Sequence, residues 1–252
     1  MKVYLAIAII VLYFFYSCSN VSSNQNDISS NYVPNLEDFH SNEYIIEKEK
    51  NIDIQKKYLL GKFDPEEDSS FVEVPAKYCL IRKEYIHKDV LESFIQMYEA
   101  AAKEGVNLKI ISAHRTFYVQ KWLWDQKYHV SNNPLEVVKN ILKYTAMPGT
   151  SRHHWGTDID FLSTKLEYFN TPEGKKAYNW LKENALDFGF FQVYDENRKT
   201  GYNEEKWHWS YIPVAKEFEM QYKEKITYED FEGFNGSEFA EELNIIEDYV
   251  LL

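Results

Sequence analysis

Apolar residues recur along the middle of the chain at two distinct periods. Val90, Leu91, Phe94, Ile95, Tyr98, Ala101 and Ala102 fall at helical spacing, which predicts a helix of about four turns with one apolar face, ended by Gly105. Val106, Leu108 and Ile110 then alternate with Asn107 and Lys109, the period of a strand running into Ser112. Phe117 to Tyr128 reads as helical. Asn133 and Pro134 supply an N-cap and a first-turn residue for a helix carrying Leu135, Val138, Ile141 and Leu142, broken at Met147 to Thr150. Thr171 and Pro172 repeat that start ahead of Ala177, Trp180, Leu181 and Ala185, with a stop near Gly189. Phe190 to Tyr194 and Trp207 to Tyr211 read as β. Short strands scattered among helices, without a regular βαβ rhythm or a glycine-rich nucleotide loop, predict an α+β domain and not a doubly wound sheet. No internal repeat of about 20 to 50 residues is visible, so solenoids and propellers drop out.

The first residues have a different character. Val3 to Tyr16 is a run of fourteen residues without a charge, followed by Ser17 and Cys18. That is short for a membrane span, which needs about 20 residues, but suits the apolar part of an export signal. The arrangement resembles a bacterial lipoprotein signal, in which the cysteine is lipidated and becomes the new N-terminus. Residues 1–17 are then a signal peptide, and a lipid on Cys18 ties the protein to a membrane of the cell envelope, on the periplasmic or outer-membrane side. From Ser19 to Tyr32, nine of fourteen residues are Ser or Asn, too polar to offset the entropy of ordering. Residues 18–50 are accordingly expected to form a flexible tether, residues 51–215 the main domain, and residues 216–252 a C-terminal extension packing on it.

Charge and cysteine content narrow the chemistry. Against 28 basic residues stand 40 acidic ones, a formal charge of −12, which disfavours nucleic acid as a partner. Cys18 and Cys79 are the two cysteines of the 252 residues, so neither a four-cysteine zinc site nor a disulfide framework can be built. A metal here must be held by His, Asp or Glu. Cys79 is expected as a small buried side chain.

Candidate chemistry concentrates in three segments. In Ser151-Arg152-His153-His154-Trp155-Gly156-Thr157-Asp158-Ile159-Asp160, His153 and Asp160 stand seven apart. A helix separates such residues by about 10 Å along its axis and a strand by about 23 Å, both too far to share one ion. A reversal at Gly156 would bring His153 opposite Asp160 on adjoining backbone; the alternative is a surface turn with solvated polar groups. In Glu205-Lys206-Trp207-His208-Trp209, His208 can complete a set of two imidazoles and one carboxylate, which leaves a fourth position open for water as catalytic zinc requires. Glu205 would be the base, and a bend before Trp207 is needed for both to face one cavity. The alternative is an edge strand whose tryptophans pack while His208 meets solvent. Arg115 follows a strand end and could grip a carboxylate, or form a surface salt bridge.

Taken together, Ser151-x-His153-x-x-Gly156-x-x-x-Asp160, the downstream Glu205-x-Trp207-His208 and the upstream Ser112-x-x-Arg115-x-x-x-x-Gln120 resemble the zinc D-alanyl-D-alanine carboxypeptidases and dipeptidases of vancomycin-resistance type. These share a superfamily with lysostaphin-type peptidases and the sonic hedgehog signalling domain. The resemblance covers about residues 55 to 215. It implies a hedgehog/DD-peptidase-like fold with a small antiparallel sheet flanked by helices, and makes residues 51–215 a zinc peptidase domain. Position by position it implies that His153, Asp160 and His208 bind zinc, that Glu205 is the general base and that Arg115 contacts substrate near the scissile carbonyl. Ser151 and Gln120 are implied as substrate-side residues. The implied substrates are peptidoglycan stem peptides ending in D-Ala. Removal of that D-Ala stands beside L,D-carboxypeptidase, dipeptidase and cross-link endopeptidase activities, and beside a catalytically silent zinc domain that binds wall. Asp158 departs from the Ala common in the family, and is either a hydrogen-bond partner of the site or a competing ligand. Lys206 replaces a common Pro, so the bend before His208 must come from something else. A serine route is disfavoured, because the chain holds neither SxxK nor GxSxG.

Overall fold

A computed structural model describes residues 54–252; the signal peptide and tether expected over residues 1–50 lie outside them. A single turn, α1 (Lys56–Leu59), leads to an antiparallel pair, β1 (Phe71–Glu73) and β2 (Tyr85–His87). The helix α2 (Lys88–Lys103) follows at once, its first turn capped by the His87 imidazole, which accepts from the Asp89 N–H at 3.4 Å. Its buried residues, Val90, Phe94, Met97 and Ala101, fall on the stripe the helical spacing marks out.

The next strand, β3 (Ile110–Ser112), is shorter than the alternation predicts. Val106 and Leu108 are buried as expected, but no strand is paired with residues 106–109, so they enter the core from irregular backbone. Thr116 caps α3 (Phe117–Asp125) by accepting from the Val119 N–H at 3.2 Å, and Asn133 caps α4 (Pro134–Ile141) by accepting from the Glu136 N–H at 3.3 Å. After β4 (Asp158–Phe161) comes α5 (Pro172–Asn184), with Thr171 as its cap, extended by a 3-10 turn over Ala185–Phe188. β5 is only Phe190–Phe191, since residues 192–194 leave the ladder. β6 (His208–Tyr211) runs directly into α6 (Ile212–Lys225). That helix passes through the boundary expected at residue 215, so the C-terminal residues continue an element of the main domain.

The four-stranded sheet has the order β3-β4-β6-β5 and is antiparallel throughout. The two largest apolar clusters among the described residues make up most of the core. One joins α2 and α5 to Ile159, Phe161, Phe190 and Trp209 of the sheet. The other gathers α3, α4 and α6 around Trp155 and includes Ile226, Phe231, Phe234, Ile246 and Val250 from the C-terminal residues. The mixture of helices with small antiparallel sheets is the α+β architecture read from the sequence.

Candidate metal centre

Register places the site. Asp160 lies opposite His208, Asp158 opposite Ser210, and Ile159 opposite Trp209. Successive side chains of a strand point to opposite faces. One face of this pair therefore presents Asp158, Asp160, His208 and Ser210, while Ile159, Phe161 and Trp209 enter the apolar cluster behind it.

His153 arrives from a different element, a single 3-10 turn over Arg152–Trp155. It does not share a hairpin with Asp160, as a simple reversal would have it; the strands beside Asp160 carry Ser112 and His208. Gly156 makes the reversal at φ 68°, and a Cβ there would sit 2.3 Å from the Phe71 ring and 2.8 Å from the His87 backbone nitrogen. Both the left-handed backbone and the close approach demand glycine.

The convergence expected of the three ligands is present. His153 Nε2 lies 3.2 Å from Asp160 Oδ1, His208 Nδ1 lies 3.1 Å from the same oxygen, and the two nitrogens are 3.2 Å apart. One ligand atom from each residue lies within 4.8 Å of the others, and all three residues are buried. The remaining ring nitrogens are committed outward: His153 Nδ1 donates to the Ala113 carbonyl at 2.6 Å, and His208 Nε2 donates to Asp158 Oδ2 at 2.8 Å. With both rings neutral, those bonds leave the other nitrogen of each, the one that faces Asp160, free to hold a metal ion. Two neutral imidazoles and one carboxylate fit a divalent cation with an open fourth position, the donor set of catalytic zinc. Burial disfavours charge on Asp160, yet His153 and His208, when they face it protonated and not as metal ligands, hold its carboxyl well below the usual carboxylate range.

Glu205 stands next to this cluster, Oε2 being 3.7 Å from His208 Nδ1. The bend it needs is a turn at Lys206 and Trp207, closed by the His208 N–H on the Glu205 carbonyl at 3.3 Å, and no proline is required. Burial pushes its carboxyl up to about 8; His208 pulls it back, Asp160 adds to the rise and Arg115 pulls it back. A carboxylate of raised proton affinity can accept and return a proton near neutral pH.

Arg115 completes the group. Its Nη2 is 3.4 Å from Asp160 Oδ2, its Nη1 donates to Gln120 Oε1 at 2.9 Å, and its Nε is buried without a partner. Gln120 requires a correction. It is 0% exposed, its Oε1 accepts from Arg115 and its amide nitrogen donates to the Ala146 carbonyl at 2.8 Å, so it stands behind Arg115 and does not line the cavity. Ser151 does line the cavity, together with Arg115, His153, Glu205 and His208. That cavity is small, about 30 Å³, enough for roughly one water molecule. A larger surface groove of about 550 Å³, near Ile226, Tyr228 and Leu251, contains none of these residues; the chemistry belongs where the titratable groups converge.

The histidines beside the cluster are committed elsewhere. His154 faces away, its Nδ1 donating to the Arg115 carbonyl at 2.6 Å and its Nε2 accepting from the Gly149 N–H at 3.1 Å. His114 packs between the rings of Phe63 and Phe71. Asp158 is the hydrogen-bond partner of His208 and stands outside the three-residue cluster. Sequence reasoning missed Arg152, which is buried and pairs with Asp158 at 3.1 Å; an arginine flanking the candidate ligand, six positions before an unexpected aspartate, was the available signal. Tyr194 and Tyr202, which also line the cavity, carried no signal beyond being two of twenty tyrosines.

Similarity to known proteins agrees with this geometry. YodJ of Bacillus subtilis (strain 168), which carries a carboxypeptidase name, is 27% identical over 208 residues, covering 77% of this chain and 71% of YodJ. A D-alanyl-D-alanine carboxypeptidase of Enterococcus faecalis (strain ATCC 700802 / V583) is 28% identical over 152 residues, covering 56% of this chain and 55% of that protein. A solved mutant of a vancomycin-resistance D,D-pentapeptidase VanY in complex with Zn(II) is 24% identical, with a TM-score of 0.46 over 61% of this chain and 89% of that one. The family model VanY, D-alanyl-D-alanine carboxypeptidase, matches residues 83–214. That stretch exceeds half of the chain and holds every residue of the buried cluster, from Arg115 to His208, and on that ground the chain belongs to the VanY D-alanyl-D-alanine carboxypeptidase family.

Proposed function

We propose that this chain is a zinc-dependent D-alanyl-D-alanine carboxypeptidase that removes the terminal D-Ala from peptidoglycan stem peptides. His153, Asp160 and His208 hold the ion, Glu205 is the general base, Arg115 serves an anionic oxygen of the substrate, and Ser151 lies at the rim. The observation that carries this reading is the meeting of three buried ligand atoms within 4.8 Å of one another, with a buried carboxyl of raised proton affinity 3.7 Å from one of them. A purely structural site has no use for that fourth group.

Bound zinc supplies Lewis acidity, which makes water a competent nucleophile near neutral pH and polarises a carbonyl. Glu205 takes the proton of the attacking water on a carboxylate oxygen and returns it to the leaving amine nitrogen, so one residue serves as base and then as acid. Arg115 holds positive charge where the carbonyl oxygen, or the terminal carboxylate, is negative. Gln120 fixes the guanidinium through Nη1. The test is incubation with purified muropeptides and a mass readout. Loss of one D-Ala from pentapeptide stems is expected, whereas release of a dipeptide, cleavage of cross-links, attack on tetrapeptide stems alone or no product would each replace this reading.

We also propose that the protein is exported and held in the envelope by a lipid on Cys18, which the uncharged run Val3 to Tyr16 supports. Detergent partitioning of wild type against Cys18→Ser tests this, and equal partitioning rejects it.

A further inference from the structure

We infer that the C-terminal segment is a working part of the metal site, acting through Glu219, Arg152 and Asp158 on His208. The inference rests on the proposal that His208 is a metal ligand. Glu219, Val250 and Leu252, where the network begins, lie beyond the family match, which ends at residue 214.

Arg152 is fully enclosed, and its guanidinium lies 4.6 Å over the Trp155 ring. Each of its nitrogens has a partner. Nε donates to Asp158 Oδ2 at 3.1 Å, Nη2 to Ser210 Oγ at 3.1 Å, and Nη1 to both Glu219 Oε2 at 2.8 Å and the Val250 carbonyl at 3.2 Å. Glu219 also accepts from the Leu252 N–H at 2.8 Å. Asp158 is saturated in turn. Its Oδ1 accepts from Thr157 Oγ1 and Ser210 Oγ, both at 2.7 Å, while its Oδ2 accepts from Arg152 and from His208 Nε2. An unbroken chain of hydrogen bonds therefore runs from the last residue to the outer nitrogen of the ligand imidazole.

A carboxylate behind a ligand imidazole fixes the ring and makes its inner nitrogen a better donor. Arg152 alone would cancel much of the charge that Asp158 offers to His208. Glu219 offsets this: two carboxylates and one guanidinium leave a net negative charge behind the imidazole, which favours a divalent cation in front of it. The Val250 carbonyl and Glu219 also hold the guanidinium in the one orientation that satisfies Asp158 and Ser210 together. Asp158, Arg152 and Glu219 are positioning residues in this scheme, and none touches substrate.

The experiment measures zinc affinity of the full chain by competition with a chelator, along with the visible absorption of the cobalt(II)-substituted protein. Wild type is compared with Asp158→Asn and Glu219→Gln. Asp158→Asn is expected to raise the zinc dissociation constant about 10–100-fold and to alter the cobalt spectrum. Glu219→Gln, two residues further along the network from His208 and partly exposed, is expected to shift both in the same direction by less. Thermal unfolding of the metal-free proteins separates a structural role. If both variants melt lower yet bind zinc with wild-type affinity and give the wild-type cobalt spectrum, the network only braces the fold and the inference is overturned. Should Asp158→Asn fail to fold, Glu219→Gln decides alone. If wild type itself binds no zinc, the proposed function fails and takes this inference with it, an outcome distinct from the first.

Discussion

The two faces of the β4–β6 pair are made from alternate residues of the same two strands, yet they obey opposite rules. Behind, Ile159, Phe161 and Trp209 pack against helices α2 and α5, where contact is non-directional and depends on volume. In front, Asp158, Asp160, His208 and Ser210 are just as buried, but each polar atom needs a partner at a fixed distance and angle. Burial is therefore not what distinguishes the site from the core. The difference lies in the source of order: the rear face is held by packing, the front face by a hydrogen-bonded constellation that fixes tautomers and charge.

That contrast can be broken from either side. The largest effect is expected on the front face, where His208→Ala removes a proposed ligand and should abolish both stoichiometric zinc binding and hydrolysis, read by metal analysis and by muropeptide cleavage. Retained zinc and activity would place the ion elsewhere. Glu205→Gln should leave zinc bound while lowering kcat by about 10²–10⁴-fold, the scale of a lost general base. Unchanged kcat would assign the base to another group. On the rear face, Ile159→Ala sits between the two aspartates in sequence but should act only on the fold, costing about 2–5 kcal/mol in urea unfolding with little change in the zinc affinity of the folded protein. A strong loss of zinc affinity there would mean that the two faces are not independent.

The smallest effect is a pH dependence. Burial, aided by the charges of His153 and Arg115, pushes the His114 imidazole down to about 3. The unfolded chain binds that proton near pH 6.5 and the folded one does not, so this group's contribution to stability falls as the pH is lowered between those values. Comparing wild type with His114→Leu, the wild-type stability should fall more steeply between about pH 5.5 and about pH 4, by about 1.4 kcal/mol per pH unit. Parallel curves would show that His114 takes up a proton without unfolding.

Much of the helical framework was legible because its signals are local. The apolar stripe of α2 and the caps Asn133 and Thr171 act within one or two turns, and the structure follows them. Strand lengths were not. Val106 to Lys109 and Gln192 to Tyr194 have β-like patterns, but a strand exists only where a neighbour supplies the ladder, and neither stretch finds one. The motif positions singled out His153, Asp160, His208, Glu205 and Arg115, and the fold brings these side chains together. The position of Gln120 was not legible, because the same spacing suits a residue that lines the cavity and one that supports Arg115 from behind, where the structure has it.

By itself the sequence determined the ingredients: the residue types of a zinc-type ligand set, the glycine that permits the reversal, and the periodicities of the helices around them. Only the tertiary structure decided what Asp158 does. A carboxylate two residues from a ligand could coordinate the ion or brace it, and that choice depends on Arg152, Ser210 and Glu219. Their side chains reach Asp158 or Arg152 from three separate elements. Pattern along a chain records which groups alternate, whereas the role of a buried charge is set by which opposite charge folding brings within hydrogen-bond distance.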